Sequence, residues 1–436
     1  MTQHVETIQR FIKDESFSGV LLFVATIAAV MVANSALSDS YFELWNMALG
    51  VTIGDFVISM SLMHWINDGL MALFFLMVGL EIKRELLIGE LSSVQKASFP
   101  IVAAIGGMLI PALVYVAFNM DDPKGFGIPM ATDIAFALGI LILLGKKVNP
   151  ALKLFLVALA VVDDLGAVIV VATVYTSEIH AEYFLHAGLV YALIWLLNAK
   201  KVTMLLPYLL LGIALWIFIH SIGVHATIAG VLLAFAIPIS SKVDEEDFIS
   251  TTYRSIDKFE QNVDDIPILN HHQIDALEDI AYNYDKVQNP LVKLEHQLHG
   301  FSAFFIMPLF AFSNAGVILD FSAVSANLMI VIGVVLGLIV GKPVGIVGLT
   351  YLAQKLKIVK KPDDLGWDEI VAVGFLGGIG FTMSIFITQL AFLDQSMIDA
   401  VKLGIFFASF IAGILGVILI LKAYNRKIAM EKVKHN

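Results

Sequence analysis

The stretch that decides the fold reads Leu154-Phe-Leu-Val-Ala-Leu-Ala-Val-Val-Asp163-Asp164-Leu-Gly-Ala-Val-Ile-Val-Val-Ala-Thr-Val-Tyr175. It is long enough to cross a bilayer, because about 20 helical residues span the roughly 30 Å hydrocarbon core. A charge at the centre of such a helix costs roughly 2.5–3.5 kcal/mol on insertion scales, and two adjacent carboxylates also repel each other. Since folding does not require such a pair, it indicates a function that involves cations or protons.

The composition indicates a membrane protein that crosses the bilayer many times. The chain is 58% hydrophobic and 15% charged, with a mean hydropathy of +0.85, whereas soluble domains are about 45–50% apolar and about 25% charged. The absence of cysteine excludes disulfides, thiolate metal sites and a cysteine nucleophile. No phosphate-binding or metal motif is present, so an ATP-driven pump is not indicated, and no cofactor or nucleic-acid partner is expected.

We predict twelve membrane spans, near 17–38, 62–82, 98–119, 126–145, 151–176, 182–199, 203–220, 223–240, 300–319, 327–351, 369–391 and 398–421. All but three of the 27 lysines and arginines fall in the terminal segments and in alternate loops, which the positive-inside rule places in the cytoplasm. Both termini are therefore expected to be cytoplasmic. We interpret the first apolar segment as a retained span, although Ala33-Asn-Ser-Ala36 also fits a signal-peptide cleavage site.

The chain divides into three parts: residues 1–240 with the first eight spans, a polar acidic cytoplasmic loop over 241–298, and residues 299–436 with the last four spans and a cytoplasmic tail. Within the loop, Gln273–Asn283 has apolar residues at helical spacing. This spacing predicts an amphipathic surface helix, with a solvated linker as an equally good alternative.

An external β-hairpin is predicted between the first two spans. Residues 49–59 alternate in polarity around Gly54-Asp55, a typical hairpin turn. Because an isolated two-stranded hairpin is marginally stable in water, we expect its edge to pair with a second copy of the chain in a homodimer.

Two spans carry residues that interrupt helices. Span four contains Pro129 followed by Met-Ala-Thr132-Asp133, and span eleven has four glycines between Val373 and Met383. One interrupted span in each half of the chain is typical of transporters built from inverted repeats. An ordinary proline kink with Asp133 as a helix cap is the alternative for span four.

Broken helices expose partial charges at membrane depth, positive at N-termini and negative at C-termini. Asp133 could neutralise the positive charge of the N-terminal ends. Lys342, deep in span ten, could neutralise the negative charge of the C-terminal ends or pair with an aspartate. If span ten ended at Pro343, Lys342 would instead lie near the surface. Adjacent helical residues differ by about 100° in direction, so Asp163 and Asp164 cannot both face the same neighbour.

A second set of charged residues is predicted near the cytoplasm. Glu81, Arg84 and Glu85 end span two, Glu295 and His296 begin span nine, and we group His225 at the start of span eight with them. Because histidine titrates between pH 5 and 8, the group fits a pH-responsive network. Interfacial ion pairs with solvated histidines are the alternative.

Several motifs together resemble one family, the NhaA sodium/proton antiporters. They are Ala131-Thr-Asp-Ile-Ala-Phe-Ala137, Ala160-Val-Val-Asp-Asp-Leu-Gly-Ala167, Val224-His-Ala-Thr-Ile-Ala-Gly230, Gly341-Lys-Pro-Val-Gly345 and Gly378-Ile-Gly-Phe-Thr-Met-Ser-Ile-Phe386. The resemblance implies an all-α polytopic fold of about twelve helices, with spans 3–5 and 10–12 as inverted repeats and spans 4 and 11 as interrupted crossing helices.

The same resemblance implies roles for individual residues. Asp163 and Asp164 would bind Na⁺ and protons, with Thr132 as a neighbouring oxygen and with Asp133 and Lys342 balancing the helix ends. Asp163 would pair with Lys342, and we expect Asp164 to be the principal sodium ligand. The residues associated with alkaline activation would be Glu81, Arg84, Glu85, His225, Glu295 and His296.

These observations favour electrogenic exchange of Na⁺ or Li⁺ for H⁺ by alternating access in a bacterial inner membrane. The main alternative is a sodium-coupled symporter for an organic solute. Such a protein would need a larger polar cavity and would not require two acids together with a lysine. An intramembrane aspartyl protease also uses two carboxylates, but on different helices, and no convincing second Gly-Asp site lies in a span.

Overall fold

Apolar helices that are long enough to cross a bilayer dominate the fold. The computed structural model describes residues 15–53, 56–176, 179–240, 244–261 and 268–435. Within these residues, eight helices meet the length and hydropathy expected of a membrane span, or up to ten if two bent helix pairs each count as one span. The protein therefore crosses the membrane many times, whereas the predicted number of twelve spans is not confirmed.

The part of the chain before the acidic loop contains nine helices and two strands among its described residues: α1 (Glu15–Ala33), α2 (Ser38–Asn46), β1 (Ala48–Ile53), β2 (Phe56–Ser61), α3 (Met71–Leu87), α4 (Val94–Phe118), α5 (Ile134–Leu144), α6 (Pro150–Val174), α7 (Glu182–Ala199), α8 (Leu205–Ile222) and α9 (Ile228–Ala236). A helical turn, Leu62–His64, and a π-helix, Trp65–Leu70, lead into α3. Short 3₁₀-helices, Pro123–Met130 and Gly145–Lys147, flank α5.

The rest of the described chain is also helical: α10 (Glu245–Glu260), α11 (His271–Val287), α12 (Pro290–Phe301), α13 (Met307–Asn314), α14 (Phe321–Ala326), α15 (Leu328–Leu336), α16 (Lys342–Lys355), α17 (Trp367–Gly377), α18 (Phe381–Ala391) and α19 (Gln395–His435). The π-helix Ser302–Ile306 joins α12 to α13, and the π-helix Gly337–Gly341 joins α15 to α16. Single-turn π segments are frequent at functional sites, and the second one leads directly into Lys342.

Side-chain caps define where several helices start. Ser93 accepts a hydrogen bond from Lys96 N at the start of α4, and Asn149 accepts one from Ala151 N at the start of α6. Pro150 occupies the first position of α6, where its missing N–H costs nothing. These caps satisfy backbone donors that have no partner within the helix, so the span boundaries follow from local sequence.

Two predicted spans differ from a simple membrane helix. The one expected at 223–240 contains α9, which has nine residues and is too short to cross a bilayer alone. The one expected at 300–319 belongs to a helical run that begins at Pro290, and its first part is polar because it includes Lys293, Glu295 and His296.

The predicted hairpin is present. Strands β1 and β2 pair antiparallel with Leu49 opposite Met60, and Trp65 Nε1 donates to Leu49 O at 2.9 Å. The predicted turn residues Gly54 and Asp55 lie outside the described residues. Ser61 at the end of β2 and His64 just after it line the same cavity as Gln395 at the start of α19. We call this end of the bundle the hairpin end and the opposite one, where α19 finishes, the tail end.

The acidic loop forms more helix than the sequence predicted. The expected surface helix is confirmed as α11, which begins with a capping box between Asn270 and Gln273. The structure adds α10, which was not predicted, and an ion pair of 3.2 Å between Lys258 and Asp279 links the two helices. The spacing of apolar residues in α10 is helical, but its four leading acids, Asp244–Asp247, masked this pattern.

Close backbone contacts position the centre of the bundle. A Cβ atom on Gly106 of α4 would lie 2.1 Å from Gly345 O of α16, so the two helices meet at backbone distance. A Cβ atom on Gly378 would lie 2.4 Å from Leu338 O in the π-helix before α16. Small residues allow such approaches in membranes, and they place the break between α17 and α18 beside the start of α16.

Candidate ion-binding site at two broken helices

The first break lies between the 3₁₀-helix Pro123–Met130 and α5. Ala131 has an extended backbone (φ −73°, ψ 147°), as does Asp133 (φ −86°, ψ 96°), so regular helix resumes only at Ile134. Pro129 lies near the end of the 3₁₀-helix and lacks an N–H, so it cannot donate the hydrogen bond that a continuous α-helix would need here. The predicted interruption of span four is therefore present.

The second break separates α17 from α18, whose axes differ by 45° across Gly378–Gly380. The two breaks contact each other, because Asp133 N donates to Ile379 O at 2.7 Å and the Thr132 hydroxyl lies 2.9 Å from Gly377 O. Backbone groups freed by one break are thus satisfied by the other, as the apolar interior requires.

Asp133 contacts the N-terminal turns of two helices. Its Oδ1 accepts a hydrogen bond from Phe136 N of α5 at 3.0 Å, and its Oδ2 accepts from Thr382 N at 3.1 Å and from Thr382 Oγ1 at 2.5 Å on α18. Because helix N-termini carry partial positive charge, the N-termini of α5 and α18 both stabilise a negative charge on this carboxylate. Asp133 therefore caps α5, as the alternative interpretation expected, and also lies at the N-terminus of a second broken helix, as predicted.

Sequence reasoning missed Thr382. The available signal was a hydroxyl residue two positions after the glycine-rich break Gly378–Gly380. Such a residue falls in the first turn of the helix that follows, where its backbone N–H has no partner within the helix. Thr382 is fully buried, so its contacts with Asp133 satisfy both its hydroxyl and its N–H.

Asp163, Lys342 and Thr132 form a buried polar group from three elements. Lys342 Nζ forms an ion pair with Asp163 Oδ2 and donates to Thr132 Oγ1 at 2.9 Å. Thr132 Oγ1 also lies 2.7 Å from Asp163 Oδ2. Lys342 is 0% and Asp163 2% exposed, and α16 continues to Lys355, so Lys342 does not lie near the membrane surface.

The two adjacent aspartates have different surroundings. Asp164 lines a cavity of about 550 Å³, together with Thr132 and Asp133, whereas Asp163 contacts Lys342 instead. Asp163 Oδ1 is buried without a hydrogen-bond partner. The 100° rotation between neighbouring helical residues explains the division. A carboxylate oxygen pair and a threonine hydroxyl beside a cavity are hard oxygen donors, which suit small cations of low polarisability.

Five of the six residues grouped as pH-responsive lie together at the tail end, in or beside the lining of this cavity. Arg84 pairs with Glu85 at 2.8 Å and with both carboxylate oxygens of Glu295 at 3.0 and 3.1 Å, which links α3 to α12. Glu81 and His296 line the cavity itself. Ionisable side chains therefore extend from the lining of the cavity to the ion pairs of Arg84 at the end of α3.

The structure does not place His225 with those residues. Its Nε2 lies 3.5 Å from Asp68 Oδ1, its Nδ1 lies 2.9 Å from Thr227 Oγ1, and it lines the cavity at the hairpin end. His220 Nδ1 is also 3.5 Å from Asp68. The grouping was wrong because span seven runs to the opposite end of the bundle before the turn that carries His225. Asp68 and His220 were missed. Asp68 is a charged residue inside the predicted span 62–82, so a signal was available for it, whereas His220 lies at the end of span seven and gave none.

Within the described residues, no cluster of three or more His, Cys, Asp or Glu side chains has the arrangement of a metal site. Asp163 and Asp164 supply two carboxylates, and the hydroxyl of Thr132, 2.7 Å from Asp163 Oδ2, is a further oxygen donor beside them.

Comparison with known proteins places the chain in one family. Residues 9–420 match the family model described as Na⁺/H⁺ antiporter 1. The chain is 66% identical over 429 residues to Na(+)/H(+) antiporter NhaA 1 of Aliarcobacter butzleri, covering 98% of this chain and 100% of that protein. It is 52% identical over 415 residues to the NhaA antiporter of Wolinella succinogenes, covering 93% and 91%. It is 48% identical over 430 residues to an NhaA antiporter of Helicobacter pylori, covering 98% of this chain and 97% of that protein. The chain therefore belongs to the NhaA family of Na⁺/H⁺ antiporters, which are membrane transporters and not enzymes.

Proposed function

We propose that this protein is an electrogenic Na⁺(Li⁺)/H⁺ antiporter that exports sodium in exchange for external protons. The observation that carries the proposal is the division between Asp163, held by Lys342 and Thr132, and Asp164, open to a cavity. Its relatives are named as Na⁺/H⁺ antiporters, which agrees with the chemistry of the site.

Competition for the same carboxylates couples the two ions. When the site faces the cytoplasm at alkaline pH, Asp164 is ionised and binds Na⁺ or Li⁺ together with oxygens of Asp163 and Thr132. A cation at this position competes with Lys342 for Asp163, so its arrival weakens a buried ion pair. After the site reorients, external protons displace the cation, and the protonated site returns.

More than one titrating group in the site makes the exchange electrogenic. If two protons enter for each sodium that leaves, one net charge crosses the membrane in each cycle. Such a charge gains about 2.3 kcal/mol for every 100 mV of membrane potential. The potential would therefore drive sodium export even without a pH gradient.

The positions of the cavities support alternating access. The cavity that reaches Asp164 includes Met383 of α18, while Phe386, one turn further on, lines the hairpin-end cavity of about 810 Å³. Phe386 packs against Phe75 and Phe310, with ring centroids 5.7 and 6.2 Å apart. We infer that this aromatic layer separates the two cavities and that, in the proposed cycle, the site is open towards the tail end in this conformation.

A ring of three side-chain amides lies beside that layer. Asn67 donates to Gln389 at 2.6 Å, Gln389 donates to Asn314 at 2.5 Å, and Asn314 donates to Asn67 at 2.9 Å. The amides come from the π-helix before α3, from α13 and from α18, so the ring ties a broken helix to two neighbours. We infer that opening towards the hairpin end breaks it.

Gln389→Met is therefore expected to favour the hairpin-open conformation. It removes two hydrogen bonds worth roughly 1 kcal/mol each, which corresponds to a shift of about thirtyfold in the population of the two conformations. The chain has no cysteine, so labelling of a single Met383→Cys, which lines the tail-end cavity, by an impermeant thiol reagent added on the hairpin side reports the change. Gln395→Met, at the rim of the hairpin-end cavity, is the control. Equal labelling in both variants would refute the inference.

We also propose that the charged residues at the tail-end cavity set activation at alkaline pH. A glutamine at position 295 resembles a permanently protonated carboxyl and removes one of the two ion pairs of Arg84. Glu295→Gln is expected to move the rise in exchange to more alkaline pH with little change in the maximal rate. Asp279→Asn, which breaks an ion pair in the acidic loop, should leave the pH profile unchanged. Identical profiles for both variants would contradict this role.

For the membrane arrangement, we propose twelve spans in the bacterial inner membrane, with both termini in the cytoplasm. In this arrangement the tail end is cytoplasmic and the hairpin end is external, as the distribution of lysine and arginine favours. Spans 3–5 and 10–12 would form the inverted repeats, which is supported by the contact between one break in each half of the chain.

A homodimer through the β-hairpin is part of the proposal. Among the described residues the two strands form a sheet only with each other, so their outer edges offer backbone groups to which a second copy could add a strand. Deleting residues 50–59 is expected to convert a dimer in mild detergent into a monomer, measured by light scattering after size-exclusion chromatography. A deletion variant that stays dimeric would rule out this interface.

The exchange itself is tested by proton flux in proteoliposomes. Addition of Na⁺ or Li⁺ to vesicles with an imposed pH gradient is expected to move protons, with a response that grows from neutral to alkaline pH, whereas K⁺ should have no effect. A labelled organic solute taken up with Na⁺ and without proton movement would favour the symporter instead.

A further inference from the structure

An apolar slot lies on the lipid-facing side of the broken helices. Its walls include Val20 and Phe23 of α1, Ile140 and Leu143 of α5, and Phe410 and Ile414 of α19, and its volume is about 620 Å³. Leu143 is 65% and Phe410 66% exposed. In a membrane protein such surfaces face the hydrocarbon, so the slot opens to lipid and its natural occupant is an acyl chain.

The length of the slot matches one leaflet of a bilayer. Along α19 it extends from Phe406 to Ile418, which corresponds to about 18 Å of helix. Half of the hydrocarbon core is about 15 Å. One acyl chain can therefore lie along α5 from the tail-end surface to the middle of the membrane, where Phe381 closes the slot.

Basic residues lie where the headgroup of such a lipid would be. Beyond Leu143, a smaller pocket of about 300 Å³ is lined by Lys146, Lys147, Tyr424 and Lys427. The three lysines are exposed, and no ion pair of theirs is found among the described residues. The carboxylate in the pocket wall, Glu369, accepts a hydrogen bond from Gly366 N at 2.7 Å and caps its own helix.

We propose that the slot and the basic pocket together bind one anionic phospholipid of the tail-end leaflet. The acyl chain occupies the slot, and the phosphate contacts the lysines. This binding site is separate from the ion site and from the proposed exchange, but it lies against α5, whose first turn is capped by Asp133. An occupied slot therefore supports one of the two broken helices from its lipid side.

The test is native mass spectrometry of the full-length protein with equal amounts of phosphatidylglycerol and phosphatidylethanolamine. The unmodified protein is expected to retain phosphatidylglycerol preferentially. A lysine near an anionic surface contributes roughly fivefold in affinity, so Lys146→Gln with Lys427→Gln should weaken retention by about thirtyfold. Ile414→Trp, which fills the slot at an exposed position, should weaken retention of both lipids.

Matched controls make the outcome decisive. Lys96→Gln with Lys355→Gln removes two exposed lysines elsewhere, and Leu189→Trp adds a tryptophan to an exposed position of α7. Both controls should retain phosphatidylglycerol as the unmodified protein does. Equal retention by the pocket variants and the controls would overturn the proposal, as would equal binding of the two lipids to the unmodified protein. Lys146→Gln with Lys427→Gln changes only exposed side chains, so this variant should fold. It therefore still tests the proposal if Ile414→Trp fails to fold.

Discussion

Asp164→Asn is expected to abolish Na⁺-dependent proton movement in proteoliposomes while leaving the protein folded. Asparagine has nearly the same shape, but it neither exchanges a proton near neutral pH nor offers a charged ligand to a cation. Asp164 is 5% exposed and lines the tail-end cavity, so the neutral amide also lowers the cost of burying this position. We expect an unfolding temperature at or above that of the unmodified protein.

The control for this prediction is Asp363→Asn, which changes an exposed aspartate paired with Lys360 at 3.0 Å. This variant should exchange Na⁺ and protons at the unmodified rate. Normal exchange by Asp164→Asn would remove Asp164 from the mechanism. Loss of exchange together with loss of folding would show that the residue is needed for structure rather than transport.

Separating Asp163 from Lys342 is expected to have the largest effect on stability. Removing one partner of a buried ion pair leaves the other charge without compensation, at a cost of roughly 3–5 kcal/mol. Asp163→Asn leaves an ammonium group among apolar helices, and Lys342→Gln leaves a carboxylate. Both single variants should therefore unfold at a clearly lower temperature in detergent, and Asp163→Asn should also lose exchange.

The double variant Asp163→Asn with Lys342→Gln distinguishes an ion pair from unrelated local damage. Two neutral amides leave no uncompensated charge, so much of the lost stability should return while exchange stays absent. Additive losses in the double variant would mean that the two side chains do not stabilise each other. Thermal unfolding of the four proteins under one condition measures this coupling.

The sequence indicated buried charged residues where the cost of a charge in the membrane is large, and these side chains are buried in the structure. Asp163, Asp164, Asp133 and Lys342 stand out in apolar runs because a buried charge needs a reason. Their spacing also predicted that the two neighbouring aspartates would have different partners. The glycine cluster and the proline predicted both breaks, because these residues weaken a helix. They do not always interrupt one, since α4 contains Pro100 and Pro111 and stays helical.

Other features depend on which helix ends meet, and the sequence did not determine this. His225 was grouped with residues at the wrong end of the bundle, although the alternation of basic loops already separates the two ends. Asn67, Asn314 and Gln389 are ordinary amides in their own segments and become a ring only when three helices pack. The lipid slot likewise exists only because α1 and α19 flank α5.

The short α9 and the additional α10 show a further reason for error. Hydropathy identifies apolar segments but not how much of each is helical, and Ile237–Pro238 ends α9 early even though the apolar sequence continues. In α10, the local charge pattern concealed a helical apolar spacing. Tertiary contacts and local backbone chemistry decide such segments more than average hydropathy does.

The most direct test of the account is calorimetric titration of Na⁺ into the purified protein across a range of pH, in buffers with different ionisation enthalpies. If Na⁺ and protons compete for Asp163 and Asp164, each bound Na⁺ releases protons to the buffer. The affinity of the protein for Na⁺ then falls as the pH is lowered, by up to about tenfold per pH unit for every proton displaced. Asp164→Asn should remove this binding. Na⁺ binding with the same affinity at every pH, without proton release, would contradict the account.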